Sequence, residues 1–246
     1  MFGRRLAAGV ALLGGLALAV LAGAPPVAAS EHATTADAST LYREALGTTK
    51  KWSVHYVSSS TVSQVSLLET GDSGPASGTQ SVATGKSGLT DMITIDVIGG
   101  LTYVKGNAGG FQALVGMDAA TAQQVAGRWI EFSTTNATFA QVVAGVRSHD
   151  VADELELKGH LTLGRATTLG GIAVDAIEGT QTNAKNTERV VLYVRAHGSH
   201  VPVEEDAIDS KGKPDGTLHV AYSRWGETVR PEAPQGAVPI GPVSAV

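Results

Sequence analysis

The chain has 246 residues, with 18 Lys and Arg against 23 Asp and Glu, and a formal net charge of −5 at pH 7. Because phosphate binding needs clustered cations, this acidic and scattered charge argues against nucleic acid as a partner. Cysteine is absent, which excludes disulfides, thiolate nucleophiles and zinc–thiolate sites.

Residues 1–29 have the three parts of a secretory signal peptide. Arg4 and Arg5 precede an apolar run over 6–24, and small residues follow at the exit. The end of the apolar run, Leu21-Ala22-Gly23-Ala24, is similar to a bacterial lipobox in which Ala24 replaces the acylated cysteine. The segment therefore predicts a secreted, extracytoplasmic protein of the cell envelope, anchored in the membrane only if the signal is not cleaved.

The mature chain begins with a helical pattern that changes to a strand pattern. Residues 30–38 are small and polar and predict a flexible arm. A helix is predicted from Ser39, with residues at helical spacing on one face: Leu41, Ala45 and Thr48. Alternation then predicts a strand at Trp52, Val54 and Tyr56. The turn-rich stretches 70–75 and 84–88 predict connections between antiparallel strands.

The middle of the chain contains the clearest strand and a predicted helical insert. Residues 92–98 alternate, with Ile93, Ile95 and Val97 on one face. Asn107, Asp118 and Asn136 are suitable N-caps for three helices. The first helix carries Phe111, Leu114 and Val115, and the third carries a one-sided apolar stripe of Phe139, Val142, Val143 and Val146. A short fourth helix is predicted over 150–157.

Strands return after the insert and complete a single domain over 39–240. Alternation predicts strands near 161–163, 172–176, 190–196, 201–208 and 217–223, with a Pro-Asp-Gly hairpin turn at 214–216. The Pro-rich stretch beyond Pro231 is predicted to lie extended over the surface, and 241–246 form a tail. Without βα alternation, the fold class is α+β: a curved antiparallel sheet with helices on one face.

The candidate chemical motifs predict no catalytic residue, metal or cofactor. His197 and His200 lack the helical spacing of a metalloprotease, and Gly85-Lys86-Ser87 lacks the first glycine of a phosphate loop. Glu204 and Asp206 can share a face of a strand, which favours a solvated surface. No Gly-x-Ser-x-Gly sequence is present, and the chain is not predicted to be an enzyme.

Short segments spread over the mature chain resemble the actinobacterial LppX/LprG-type cell-envelope lipoproteins, which are similar in architecture to the LolA lipoprotein carriers. These segments are Ser53-Val54-His55-Tyr56, Leu101-Thr102-Tyr103-Val104-Lys105-Gly106-Asn107, Phe111-Gln112-Ala113-Leu114, Gly127-Arg128-Trp129-Ile130, Pro202-Val203-Glu204 and Tyr222-Ser223-Arg224-Trp225-Gly226-Glu227-Thr228-Val229. The resemblance implies a half-open barrel whose concave face is covered by helices and holds an acylated lipid.

Joined with the apolar patterns, the resemblance predicts a binding site made only of shape and apolar surface. Its predicted lining is Ile93, Ile95, Val97, Phe111, Leu114, Val115, Phe139, Val142, Val143 and Val146. The expected partner is a lipid or acylated molecule, with transient membrane contact and a monomeric state. The alternative from a different class is a structural or protein-binding envelope module with a filled core and no ligand.

Overall fold

The structure is a computed structural model that describes residues 37–62, 64–136, 142–182, 187–209 and 217–240. The predicted signal peptide with Ala24, most of the predicted arm, Phe139, the Pro-Asp-Gly turn and the 241–246 tail lie outside the described residues. Among the helices that are described, none is long and apolar enough to cross a membrane.

Thirteen strands of the described chain form one sheet, in the order β13-β6-β5-β4-β3-β2-β1-β12-β11-β10-β9-β7, with β8 paired to β9. Their bounds are β1 Val54–Val62, β2 Val65–Ser73, β3 Gly78–Gly85, β4 Asp91–Ile98, β5 Leu101–Gly106, β6 Ile130–Ser133, β7 Lys158–Leu163, β8 Thr167–Leu169, β9 Ile172–Thr182, β10 Thr187–Arg195, β11 Pro202–Asp209, β12 Thr217–Ser223 and β13 Val238–Pro239. The strand pairs are antiparallel apart from the parallel β13–β6 pair at one edge. The sheet is curved and not closed.

Four described helices complete the fold: α1 Ala38–Thr49, α2 Ala108–Val115, α3 Ala119–Val125 and α4 Ser148–Glu154. The predicted caps are confirmed at Asn107 and Asp118, whose side chains accept hydrogen bonds from backbone amides of α2 and α3. Hydrogen bonds from the hydroxyl and amide of Thr121 hold the pKa of Asp118 below its usual value. The left-handed Gly116 ends α2.

The core divides into two apolar clusters on the inner face of the sheet. One lies where α1 and α4 meet β1, β9, β10, β11 and β12. The other is formed by β2 to β6, α2, α3 and residues 142–146. We call the second the α2 cluster. The predicted fold class, an α+β half-open barrel with helices over the concave face, is confirmed.

The predicted turn at 70–75 is wrong over most of its length, because β2 continues to Ser73. Gly71 lies in this strand beneath the ring of Tyr56 on β1, and a Cβ on Gly71 would come within 2.6 Å of ring atoms. Glycine here makes room for the neighbouring aromatic ring, a known use of strand glycines. The glycines and small polar residues of this stretch therefore led to the wrong prediction of a turn.

The third predicted helix is also wrong where it is described. Residues 142–146 form turns, and Gly145 has a positive φ of 78°. The carbonyl oxygen of Gly145 accepts hydrogen bonds from Tyr56 Oη at 3.2 Å and Ser73 Oγ at 2.8 Å. The sheet thus binds this segment through its backbone, which takes the place of helical hydrogen bonding. Val142, Val143 and Val146, the described members of the predicted stripe, are nevertheless buried.

Three smaller expectations change. The buried residue at the end of α1 is Thr49 rather than Thr48, since its hydroxyl donates to the Ala45 carbonyl. In β7 the predicted apolar face is largely solvated, with Leu163 exposed, because β7 lies at an edge of the sheet. The C-terminal stretch, predicted to lie extended over the surface, also joins the sheet, because Val238 and Pro239 form β13 beside β6.

The phenol of Tyr42 links α1 to the chain after α4. Its Oη donates to the carbonyl of Leu155 at 3.1 Å and accepts from the amide of Leu157 at 2.5 Å. Burial, opposed by the hydrogen bond from Leu157, raises the pKa of Tyr42 from 10.0 to about 12.

Because the protonated phenol is favoured in the folded state, its contribution to stability is complete below pH 10. We expect this contribution to disappear as the pH rises from 10 to about 12. Tyr42→Phe should lower the free energy of unfolding by about 1–2 kcal/mol at pH 7, since two backbone groups lose their partner. Urea titrations at pH 7 and pH 12 test this expectation. It would be contradicted if the free energies of unfolding of wild type and variant differed by the same amount at both pH values.

Candidate apolar binding site

The inner face of β4 forms the floor of the candidate site. Ile93, Ile95 and Val97 point to the same side and are at most 4% exposed. Their neighbours in the sheet continue the apolar floor, because Val82 pairs with Ile93 and Val104 pairs with Ile95. Alternation along β4 was enough to predict which residues face inward.

Helix α2 and the turn segment 142–146 lie over this floor. Phe111 is fully buried, Val115 is 5% exposed, and Leu114 packs at the border of the same cluster. From the turn segment come Val142, Val143 and Val146. The structure therefore brings together nine of the ten predicted lining residues, and the tenth, Phe139, lies outside the described chain.

Further members of the α2 cluster escaped the sequence analysis because their patterns are short. They are Leu67, Val82, Val104, Ala122, Ile130 and Phe132. The alternation of Ile130 and Phe132 around Glu131 could have placed both on the inner face. Val104 and Val82 become recognisable only when the register between strands is known.

The first turn of α2 approaches β4 at backbone distance. A Cβ on Gly110 would lie 2.2 Å from the carbonyl oxygen of Met92, and a Cβ on Gly109 would lie 2.1 Å from Oδ1 of Asp91. Asn107 connects the same two elements, since its Oδ1 accepts from the amides of Gly110 and Met92 and its Nδ2 donates to the carbonyl of Thr90. These contacts fix α2 directly on the edge of the apolar floor.

The two layers are in contact in this structure. The eight predicted lining residues that are buried are each at most 7% exposed. Such low exposure leaves little surface for a further molecule to contact. An acyl chain can therefore reach these side chains only if contacts between α2, the turn segment and the sheet are displaced.

Two clefts lie on the outside of the molecule. One of about 750 Å³ is lined by Trp52, Pro75, Trp225 and Val229 among others. Another of about 260 Å³ contains His55, which lies 2.8 Å from Asp72 Oδ1, while Arg224 also bonds to Asp72 at 2.9 Å. Arg224 and His55 thus share one carboxylate, with which Arg224 forms a surface ion pair.

Histidine and carboxylate side chains come together at a different place from the His197-His200 pair. Nδ1 of His200 is 2.9 Å from the carbonyl of Arg195. On the outer face, by contrast, Glu204, Asp206 and His219 have potential ligand atoms within 4.8 Å of one another. His219 Nδ1 lies 2.9 Å from Asp206 Oδ1, so the group is held by a hydrogen bond on a partly solvated surface.

Comparison with known proteins gives the fold but no sequence family. No protein-family model and no curated protein matches the chain. The crystal structure of LprF from Mycobacterium bovis matches over 81% of this chain and 97% of that chain, with 13% identity and a TM-score of 0.51. The chain has the LprF fold.

Two other solved structures have lower TM-scores. Lipoprotein LppX from Mycobacterium tuberculosis has 17% identity and a TM-score of 0.48, and covers 77% of this chain and 95% of its own. A LolA superfamily protein from Nitrosomonas europaea has 12% identity and a TM-score of 0.31, and covers 80% of this chain and 96% of its own. The predicted resemblance to LppX/LprG-type proteins is confirmed at the level of the LprF fold.

Proposed function

We propose that the protein binds a lipid or another acylated molecule between α2, the turn segment 142–146 and the inner face of the sheet. The observation that carries this proposal is the α2 cluster itself. Eight side chains chosen from sequence patterns for an apolar site meet in one buried cluster, and a ninth, Leu114, packs against it, on the concave face of an LprF-type half-barrel. The signal-like segment 1–29 supports an extracytoplasmic place of action.

The energetics favour a carrier that is closed when empty. Burying each CH₂ group contributes about 0.8 kcal/mol, so ten groups contribute about 8 kcal/mol before the costs of binding. An empty apolar cavity costs about 24 cal/mol per Å³. A permanent void large enough for an acyl chain would consume much of the stability of a domain, and closing the layers in the absence of lipid avoids that cost.

Solvent extraction and mass spectrometry of protein purified from the culture medium or envelope of expressing bacteria test the proposal. We expect about one lipid per protein molecule. The alternative, a filled structural module, is favoured by the low exposure of the lining residues and predicts none. If the purified protein carried no lipid and also failed to take up lipid from micelles, the proposal would be contradicted.

A variant that fills the candidate site should separate lipid binding from folding. Val143 is a buried residue of the turn segment, whereas Val57 is exposed on the outer face of β1. We expect Val143→Trp to reduce lipid retention at least about tenfold, because the indole occupies volume that the acyl chain needs. Val57→Trp adds the same group outside the site and should retain lipid.

Lipid content by mass spectrometry, read beside the melting temperature, measures this effect. Equal lipid retention in a folded Val143→Trp variant and in Val57→Trp would place the ligand elsewhere.

A further inference from the structure

The inner face of β1 is polar at two positions beside the α2 cluster. Ser58 and Ser60 are only 2% and 8% exposed, and they share the inward side of the strand with Val54, Tyr56 and Val62. The register places Ser60 between Leu67 of β2 and Leu218 of β12. Neither neighbouring side chain can accept a hydrogen bond.

The hydroxyl of Ser60 has no hydrogen-bond partner among the described residues, although its Oγ is shielded from solvent. Buried hydroxyls without partners are rare in folded proteins, because transfer out of water without a new hydrogen bond is unfavourable. A strand serine cannot relieve this by donating to its own preceding turn, as a helical serine can. The atom is therefore available to an acceptor on a bound molecule.

Among the described residues, a second buried hydroxyl without a partner, that of Thr102, lies beside members of the α2 cluster. The register places Thr102 between Val97 and Phe132, in apolar surroundings. Ser60 differs because its inward neighbourhood includes the half-buried Glu69, which pairs with Ser58. A polar head group therefore has polar surroundings at Ser60, whereas the surroundings of Thr102 suit hydrocarbon.

The distance from Ser60 to the floor of the site suits an acyl chain. The strands β1 and β4 are three strand spacings apart, about 14 Å along the sheet. The inner face between them carries Leu67 and then Val82, both members of the α2 cluster. Leu67 and Val82 are diagonal neighbours, because Leu67 pairs with Thr84 and Val82 pairs with Glu69 and Ile93. A molecule with its polar end at Ser60 would therefore follow a diagonal apolar path from Leu67 over Val82 to Ile93.

We propose that the Ser60 hydroxyl donates a hydrogen bond to the carbonyl oxygen of an ester-linked lipid, whose acyl chain crosses Leu67 and Val82 towards β4. This inference rests on the proposed lipid-binding function and specifies the ligand class. The carboxyl group of Glu69 close by disfavours a second carboxylate. The site thus selects a neutral ester over a free fatty acid.

The test uses the full mature chain and two probes, 1-monopalmitoylglycerol and hexadecane, each competing with the fluorescent probe N-phenyl-1-naphthylamine. We expect Ser60→Ala to weaken binding of the ester about fivefold, the typical effect of one neutral hydrogen bond, and to leave hexadecane unchanged. Ser59→Ala, on the exposed face of the same strand, is the matched control. Ser60→Thr keeps a hydroxyl and should restore ester binding.

The outcomes distinguish this inference from the proposed function. Equal ester binding by wild type and Ser60→Ala, with hexadecane still bound, overturns the role of Ser60 and leaves lipid binding standing. An equal loss of both probes in Ser60→Ala indicates a packing effect and also overturns it. If wild type binds neither probe, the proposed function fails and this inference fails with it.

Discussion

A disulfide between positions 91 and 109 is expected to reduce lipid uptake at least about tenfold. Asp91 begins β4 and Gly109 lies in the first turn of α2. The lining residues are closed off from solvent, so loading requires the layers to separate. A covalent link between α2 and β4 would hold them together.

The geometry of this pair suits a disulfide. A Cβ built on Gly109 lies 3.6 Å from the Cβ of Asp91, and disulfides place these atoms about 3.5–4.5 Å apart. The double variant Asp91→Cys, Gly109→Cys also removes the carboxyl group that a side chain at 109 would meet. Since the chain has no native cysteine, no competing disulfide can form within the chain.

The same protein provides its own control. We expect uptake of 1-monopalmitoylglycerol from micelles to be slow or absent in the oxidised form and to return after reduction with dithiothreitol. Oxidised and reduced forms that load equally fast and to the same extent would show that lipid enters without movement of the start of α2.

Alanine substitution of two helical glycines is expected to change stability in opposite directions. A Cβ on Gly110 in α2 would lie 2.2–2.8 Å from three backbone atoms of Met92, while a Cβ on Gly47 in α1 meets no atom within 4 Å. Backbone atoms cannot rotate away, so Gly110→Ala must push α2 off β4. We expect a loss of about 2–4 kcal/mol in the free energy of unfolding.

Gly47→Ala should instead stabilise the protein by about 0.5–1 kcal/mol, because alanine is the better helix former and the site has room. Urea unfolding of both variants measures the difference. A Gly110→Ala variant as stable as wild type would contradict the close contact of α2 and β4, on which the closed site depends.

The sequence predicted correctly those elements that depend on residues near one another in the chain. Alternation placed Ile93, Ile95 and Val97 on one face of β4, and the caps Asn107 and Asp118 marked the starts of α2 and α3. These features depend on residues close together in the chain. For the same reason, the apolar members of the candidate site could be chosen before their arrangement was known.

Tertiary contacts explain the errors. Gly71 looks like a turn residue until the ring of Tyr56 on the next strand is placed over it. The helix predicted after Asn136 is replaced by turns at 142–146, where hydroxyls from β1 and β2 bind the carbonyl of Gly145. Nothing in the sequence indicated Ser60 as a binding residue, since a buried hydroxyl without a partner is recognised only from its surroundings in the folded chain.

Mapping the position of a bound acyl chain is the sharpest test of whether lipid binds between α2, the 142–146 segment and the sheet. A monoacylglycerol with a photoreactive diazirine in its acyl chain can be loaded, irradiated and mapped by peptide mass spectrometry. We expect crosslinks to inward residues of the α2 cluster, on β4, on α2 and in the 142–146 segment. Crosslinks confined to the outer cleft at Trp52 and Trp225, with the α2 cluster unlabelled, would contradict it.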